Sequence, residues 1–404
     1  MFITESLTPM QTGIWSQTKL NGENNQYLIP LIHKMSNDVK TISIEQALND
    51  VIQKNEALRV EIVSGNEVYQ SIQPYEYHNL ALIPVEETAI AGSITEFLSL
   101  GISLNDSLAQ YVLFTTPRNK YLVCKFHHIV FDGQSAEIFL DDLNASLNNE
   151  SQQKNDTLYS SYLKNREYQS DAENAFWETY LQQEVEEIPK PTNQSIEYVG
   201  RRNIQVTKLQ CSLSEYKDVT LGLGGTLFTT GLTAFQMLLH KYFDLHHIST
   251  AIPVSLRTAN EERMIGFLAN VLPLISHVDA RKTLFELHEN IQNLVFALIE
   301  NCNISASEIN NSVNRIRKST YQSMTQCVFD LSFEQDSLEN TLIKKTSINT
   351  EYDFLAKVII KDEEVYFETN IDQTLFDGEV ITELHQTFDE IIQSLRVDID
   401  QTLS

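Results

Sequence analysis

The chain has 404 residues, enough for about two or three domain-sized units, and 42% of its residues are hydrophobic. A formal net charge of −26 without any basic run argues against nucleic acid as a ligand. The four cysteines lack the spacing of a zinc site, no apolar run approaches the roughly 20 residues of a membrane helix, and the N-terminus lacks a secretory signal. We therefore expect a cytoplasmic protein without a membrane segment or a metal.

The first part of the chain alternates predicted helices and strands. Residues 42–59 and 134–147 have apolar residues at helical spacing. The apolar runs 111–116 and 121–130 are separated by PRNK and predict a β-hairpin. The apolar faces of the two helices are expected at Ile44, Ala47, Leu48, Val51 and Ile52, and at Ala136, Phe139, Leu140, Leu143 and Leu147.

The polar, proline-containing stretch 184–195 is the best candidate for a linker. Helices and strands alternate on both sides of it, which predicts an α/β (α+β) fold with two lobes, 1–183 and 184–404. The elements expected around and after the linker are helices at 172–181, 227–243 and 381–395 and strands at 247–256 and 267–278.

The heptapeptide HHIVFDG, residues 127–133, carries the most distinctive chemistry. If the strand continues through both histidines, they point to opposite faces and cannot easily share a metal ion. His128 then lies on the apolar face, where burial favours the neutral imidazole that can accept a proton. Asp132 and Gly133 follow in a turn before a helix. The residues alone leave open a general base on a rigid element and two polar residues at a strand end.

HHIVFDG resembles the HHxxxDG motif of the condensation domains of nonribosomal peptide synthetases. Other acyltransferases of the chloramphenicol acetyltransferase-like superfamily share the shorter HxxxD pattern. Further segments resemble other condensation-domain motifs, in the same order along nearly the whole chain. They are LTPMQTGIW (7–15), NEALR (55–59), FWETYL (176–181), IPVSLR (252–257), MIGFLANVLPL (264–274) and IDQTLFDGEVI (371–381).

The resemblance implies a V-shaped pseudo-dimer of two chloramphenicol acetyltransferase-like lobes with a tunnel between them. A donor acyl group would enter as a thioester on the phosphopantetheine arm of a carrier protein. An amine, usually an aminoacyl thioester on a second carrier protein, would enter from the other face. The products would be amides, or sometimes esters, in natural-product biosynthesis, formed without a metal, a cofactor of the enzyme's own or a covalent enzyme intermediate.

By position, the resemblance makes His128 the catalytic histidine. It would act as a general base on the amine, or position the amine and stabilise the tetrahedral species. His127 and Asp132 would be structural, with Asp132 paired to Arg257 of the second lobe.

The resemblance places Gly133 beside the tunnel, near the donor thioester, and Asn270 near the tunnel as well. Several residues depart from the usual motifs and blur the subtype, while the histidine motif is intact. These departures are Gly13, Asn55, Leu256, Ala269 and Val271.

Several alternatives stay open at this point. The chain could be an acyl-CoA-dependent acyltransferase of the same superfamily, because coenzyme A carries the same pantetheine arm. A non-catalytic recruitment domain is disfavoured by the retained His128, and an epimerisation domain by the lack of an EGHGR-like motif. The initial Met and the lack of adenylation or carrier motifs favour a stand-alone enzyme over an excised domain. The second histidine pair, His246 and His247, is expected on the surface, since no Asp–Gly follows it.

Overall fold

The structure is a computed structural model. It describes residues 3–21, 27–65, 67–150, 157–168, 170–189, 202–317, 326–334, 352–372, 376 and 378–397. The described residues form two compact units, each of which is discontinuous in sequence. Unit 1 lies within Met1–Tyr168 and Ser255–Ala269, and unit 2 within Gln169–Val254, Asn270–Asp336 and Thr350–Ser404.

Unit 1 combines two sheets with five helices among its described residues. A three-stranded sheet has the order β1-β4-β3, and a four-stranded sheet has the order β2-β7-β6-β5. The strands are β1 (Ile3–Ser6), β2 (Leu28–Ser36), β3 (Val60–Ser64), β4 (Val68–Ile72), β5 (Ala81–Pro84), β6 (Ala109–Thr115) and β7 (Asn119–His127). The helices are α1 (Pro9–Asn21), α2 (Thr41–Lys54), α3 (Ile90–Ser99), α4 (Gly133–Leu147) and α5 (Tyr159–Asn165).

The predicted hairpin is present, with β6 and β7 paired antiparallel. β7 pairs with β2 on its other side, so it is an internal strand of its sheet. Its residues from 120 to 127 are all buried, as expected for a strand that is covered on both faces. The strand that leads into HHIVFDG is therefore one of the most constrained elements of unit 1.

The predicted helix at 42–59 is interrupted at Asn55. α2 ends at Lys54, Asn55 has extended backbone angles, and a 3₁₀ turn follows at Glu56–Arg59. The Arg59 guanidinium donates hydrogen bonds to the carbonyls of Ile52 and Gln53 at the end of α2. A cation at the last carbonyls stabilises a helix end, and hydrophobic spacing does not reveal it.

α4 begins and ends close to the expected positions, but its expected buried face is partly wrong. Ala136, Leu140 and Leu147 are only half-buried, whereas Ser135 and Asp142 are buried. Both polar side chains have partners, and the Asp142 carboxylate accepts from Lys54 at 2.7 Å. A buried polar group is tolerated when it is hydrogen-bonded, which a pattern of hydrophobic residues cannot detect.

Unit 2 has one six-stranded sheet among its described residues, in the order β10-β9-β11-β12-β13-β8. The strands are β8 (Arg202–Ser212), β9 (His247–Ser255), β10 (Ala269–His277), β11 (Cys327–Glu334), β12 (Phe354–Lys361) and β13 (Glu364–Asp372). The helices are α6 (Asp171–Tyr180), α7 (Leu213–Leu223), α8 (Leu227–Phe243), α9 (Leu284–Glu300), α10 (Ala306–Arg317) and α11 (Gly378–Val397). The expected helices and the strands of β9 and β10 are therefore present.

The compact units group two segments differently from a division into 1–183 and 184–404. α6 belongs to unit 2, where the Trp177 indole donates to the carbonyl of Asn301 at 2.9 Å. The segment Ser255–Ala269, hereafter the crossover segment, belongs to unit 1. The predicted lobe boundary stays a prediction.

Two sequence features lie partly outside the described residues. Positions 190–195 of the expected linker are outside them, and so are positions 373–375 and 377 of the IDQTLFDGEVI segment. Within the part of the chain that the structure describes, no helix is long and apolar enough to cross a membrane.

Candidate active site

The residues 127–133, hereafter the histidine loop, join β7 to α4 in unit 1. β7 ends at His127, and His128 begins a 3₁₀ turn that ends at Val130. The expectation that the strand continues and buries His128 on its apolar face is therefore wrong. His127 is 3% exposed, whereas His128 is only half-buried. Because the strand ends at His127 and does not continue through His128, the second imidazole is less buried than the first.

The His128 ring is fixed by the backbone of its own loop. Its Nδ1 lies 2.7 Å from the carbonyl oxygen of Phe131. A carbonyl oxygen can only accept, so Nδ1 carries the proton and donates it. The lone pair of the neutral ring is then on Nε2, at the end of the ring away from the loop. One edge of His128 thus positions the ring, and the other is free to accept a proton.

His127 has the opposite arrangement. Its Nδ1 accepts a hydrogen bond from the backbone N–H of Ile129 at 3.1 Å, which caps the 3₁₀ turn. Burial and, to a smaller extent, the neighbouring His128 lower the pKa of His127 to about 3. His127 is therefore neutral near pH 7, and its buried ring supports the turn in which His128 lies.

Asp132 is the N-cap of α4, and both oxygens of its carboxylate accept several hydrogen bonds. It accepts from the backbone N–H and the hydroxyl of Ser135, at 2.9 and 2.8 Å, and from the backbone N–H of Leu268 at 2.9 Å. Both of its oxygens also accept from the Arg257 guanidinium, each at 2.8 Å. The two side chains are 2% and 3% exposed, so this bidentate ion pair is almost fully buried.

The pair between Asp132 and Arg257 is the one that the family resemblance implies. Arg257, however, lies in the same compact unit as Asp132, because the crossover segment belongs to unit 1. The Arg257 guanidinium also donates to the carbonyl of Met264, at 3.1 Å from Nε and 3.0 Å from Nη2. Through these contacts Arg257 holds two positions of the crossover segment, 257 and 264, close to Asp132 of the histidine loop.

Gly133 and Asn270 have different surroundings. Gly133 is the first residue of α4, and a Cβ added to it would have no neighbour within 4 Å. The Asn270 amide lies in unit 2 and donates to the carbonyls of Cys302 and Ile304, at 2.9 and 2.7 Å. Its amide nitrogen is thus committed to holding the loop after α9.

Two residues of the site did not stand out in the sequence. The buried Ser135 hydroxyl donates to Asp132 and accepts from the backbone N–H of Gly266 at 3.0 Å. Its position three residues after an N-cap aspartate was the available signal. Phe267 packs against the His128 imidazole with ring centroids 5.0 Å apart and planes at 72°. Nothing in the spacing of Phe267 predicts that contact, because it comes from a distant segment of the chain.

A metal centre has no support in the described residues. They contain no group of three or more His, Cys, Asp and Glu side chains arranged to hold an ion. The four cysteines, all of which are described, are buried, and none of them forms a disulfide.

The chain is similar to known proteins over almost its whole length. The family model described as "Condensation domain" matches residues 4–404. The chain belongs to the condensation-domain family. It is 21% identical to bacitracin synthase 1 of Bacillus licheniformis over 98% of its length, and it spans only 8% of that relative.

Solved structures show the same condensation-domain fold. The condensation domain of the Monacolin K polyketide synthase MokA is similar with a TM-score of 0.82 and 15% identity, covering 99% of both chains. The X-domain from teicoplanin biosynthesis is similar with a TM-score of 0.79 and 15% identity, covering 98% of this chain and 96% of that one. The α/β fold expected from the resemblance, of the chloramphenicol acetyltransferase type, is therefore confirmed. Because one fold carries domains with different names, the chemistry must be argued from the site.

Proposed function

We propose that this condensation domain forms an amide bond between an acyl group and an amine, with His128 as the catalytic residue. The acyl group is carried as a thioester on a carrier protein. The amine, or alternatively a hydroxyl, attacks the thioester carbonyl; the new C–N bond forms and the C–S bond breaks. The proton released by the amine passes to His128 Nε2 and then to the departing thiolate.

The hydrogen bond from His128 Nδ1 to the Phe131 carbonyl carries this proposal. It fixes the tautomer, so that a lone pair is presented on Nε2 before any substrate arrives. After accepting the proton, the same Nε2–H can donate to the oxyanion of the tetrahedral species. General-base work contributes on the order of 10²–10⁴-fold, and positioning of both substrates contributes further.

His127, Asp132 and Arg257 have supporting roles in the proposal. His127 caps the turn through Ile129, and Asp132 with Arg257 fixes the end of the loop. Gly133 leaves open space next to the loop, which suits the arm or the thioester of the donor. Asn270 is assigned a supporting role only, since its amide nitrogen is used within unit 2.

The partners follow from the same chemistry. Carrier proteins would supply the acyl thioester, and the enzyme would need no cofactor of its own beyond the phosphopantetheine arm that the carrier brings. The acceptor can be a free amine or an aminoacyl thioester on a second carrier protein. The names of the relatives are consistent with peptide synthesis, although the chain spans only a small part of them.

The experiment is a product assay on the whole chain with matched donors. The same acyl group is loaded on a carrier protein and on coenzyme A, each donor is offered a panel of free and carrier-bound amines, and products are identified by mass spectrometry. We expect amide product from the carrier-bound donor. Turnover from coenzyme A alone would instead favour the general acyltransferase, and no product from any carrier-bound donor would count against condensation.

A further inference from the structure

A buried glutamine from another part of unit 1 is hydrogen-bonded to the backbone of the histidine loop. The Gln11 side chain in α1 is 0% exposed, and its Nε2 donates to the carbonyl oxygen of Ile129 at 2.9 Å. Ile129 directly follows His128 and lies inside the 3₁₀ turn. The backbone N–H of the same residue donates to His127. Both polar groups of the Ile129 backbone are therefore held by side chains.

Gln11 is itself oriented by two other buried side chains. Its Oε1 accepts from Gln70 Nε2 at 2.8 Å and from the backbone N–H of Thr8 at 2.9 Å. Its Nε2 also donates to the Tyr159 hydroxyl at 3.1 Å, and that hydroxyl donates to Gln70 Oε1 at 3.3 Å. Gln70 is 0% and Tyr159 3% exposed. The amide of Gln11 thus has one orientation, because each end is matched to a partner.

Tyr159 links this network to the crossover segment. A Cβ added to Gly266 would lie 2.9 Å from a carbon of the Tyr159 ring, so only glycine allows the ring to pack this closely. The backbone N–H of Gly266 in turn donates to the Ser135 hydroxyl at 3.0 Å. Burial raises the pKa of Tyr159 well above its ordinary value, so the hydroxyl remains a donor. We name Gln11, Gln70 and Tyr159 the glutamine brace.

We infer that the glutamine brace positions the catalytic turn, and that Gln11 is a positioning residue for the reaction of His128. The inference rests on the proposed function. Gln11 touches no reacting atom; it acts through the Ile129 carbonyl on the backbone that carries the imidazole. A displacement on the order of 1 Å in a catalytic group can cost about 10²-fold in rate, so a brace of this kind affects turnover more than binding.

The test compares Gln11→Leu with Gln236→Leu. Gln236 is a matched control, because it is also 0% exposed and hydrogen-bonded, to Thr250 and Ser276 at 2.8 Å, but it lies in unit 2. We expect both variants to lose thermal stability. Gln11→Leu should lower kcat at least about tenfold with little change in the KM of either substrate, whereas Gln236→Leu should keep the wild-type kcat per folded molecule.

A spectroscopic readout separates positioning from general destabilisation. The proton on His128 Nδ1 is held by the Phe131 carbonyl and reports on the geometry of the turn. In ¹⁵N-histidine NMR spectra, its resonance should shift or exchange with water in Gln11→Leu and stay in place in Gln236→Leu. If both variants keep the wild-type kcat and the wild-type resonance, the inference is wrong.

Tyr159→Phe keeps the test decisive if Gln11→Leu does not fold. The substitution keeps the ring packed on Gly266 and removes only the hydroxyl, and a loss of kcat of about threefold is expected; an unchanged kcat would overturn the inference.

His128→Ala, measured in the same assay, separates a failure of the proposed function from a failure of the glutamine brace. If it turns over like the wild type, the proposed function fails, whereas an inactive His128→Ala beside a fully active Gln11→Leu refutes the brace alone.

Discussion

The chain contains two histidine pairs, which differ in burial and in the origin of their partners. In the histidine loop, Nδ1 of His127 and Nδ1 of His128 are each bound to a backbone group. In the second pair, His246 and His247 keep side-chain exposures of 45% and 34% and face carboxylates at 3.9 and 3.5 Å. Nδ1 of His246 also lies 3.3 Å from a backbone carbonyl, that of Val278, so a backbone partner alone does not distinguish the pairs. In the histidine loop both Nδ1 atoms are bound to backbone groups of the loop itself and His127 is buried, and this combination marks the candidate site.

The ion pairs near the two histidine pairs also differ in burial. Substitution of the buried pair has the largest effect on stability that we expect. Asp132–Arg257 is buried, whereas Asp279–Arg281, in the neighbourhood of the second pair, has an arginine that is 88% exposed. Arg257→Ala leaves a buried carboxylate without its cation, which costs about 3–5 kcal/mol. Arg281→Ala should leave the melting temperature almost unchanged.

Thermal unfolding of the two arginine variants measures this contrast directly. Arg257→Ala should also lose activity at temperatures where it is still folded, because the crossover segment is released from the loop. Equal melting temperatures for the two variants would contradict the buried role of the pair.

The open space at Gly133 gives the next effect. Gly133→Leu should raise the KM for the acyl donor about tenfold or more, because the new side chain occupies space that the proposal gives to the donor. Gly92 in α3 also has no neighbour within 4 Å of an added Cβ, and Gly92→Leu is the matched control. Steady-state kinetics with a varied donor provide the measurement, and a donor KM that is unchanged in both variants would remove Gly133 from the donor site.

The next prediction concerns the contact between the Phe267 ring and the His128 imidazole. Aromatic pairs contribute about 0.5–1.5 kcal/mol, so Phe267→Ala should lower kcat by roughly three- to tenfold. Phe296 in α9 is 54% exposed, and Phe296→Ala should leave kcat unchanged. The comparison is made on kcat per folded molecule, and equal values for the two variants would mean that the Phe267 ring does not hold the imidazole.

The effect that is smallest near neutral pH concerns the dependence of stability on pH. The pKa of His127 is about 3 in the folded chain and roughly 6.5 in the unfolded chain. Between these values the unfolded chain binds a proton that the folded chain does not. The free energy of unfolding is therefore unaffected by the ionisation of His127 above pH ~6.5. It decreases as the pH falls from there towards 3, by at most about 1.4 kcal/mol per pH unit.

His127→Gln removes that ionisation and keeps an acceptor for the Ile129 N–H. The melting temperature of the variant should therefore fall less steeply between pH 6.5 and 4 than that of the wild type. Some slope remains, because burial also lowers the pKa values of His288 and His385 to about 4. A slope for His127→Gln that is identical to that of the wild type would show that His127 is not buried in solution.

The sequence predicted much of the fold and the centre of the site, for reasons that can be traced to particular residues. The hairpin of β6 and β7 and the long apolar helix α8 follow from hydrophobic periodicity, which depends only on local sequence. The pair Asp132–Arg257 followed from the family resemblance. The Gln11–Ile129 contact and the packing of Phe267 on His128 join segments more than 100 residues apart, and no local pattern encodes them. The predicted orientation of His128 was wrong because the strand ends at His127 and a 3₁₀ turn follows. That turn is stabilised by hydrogen bonds that hydrophobic periodicity does not reveal.

The central claim is that His128 Nε2 transfers the proton in amide formation. A single-turnover assay with a carrier-bound acyl donor and saturating amine tests it directly, with His128→Ala compared with His246→Ala. We predict that His128→Ala slows amide formation by at least about 10²-fold while its melting temperature stays close to that of the wild type, and that His246→Ala reacts at the wild-type rate. Wild-type turnover by a folded His128→Ala would contradict the account.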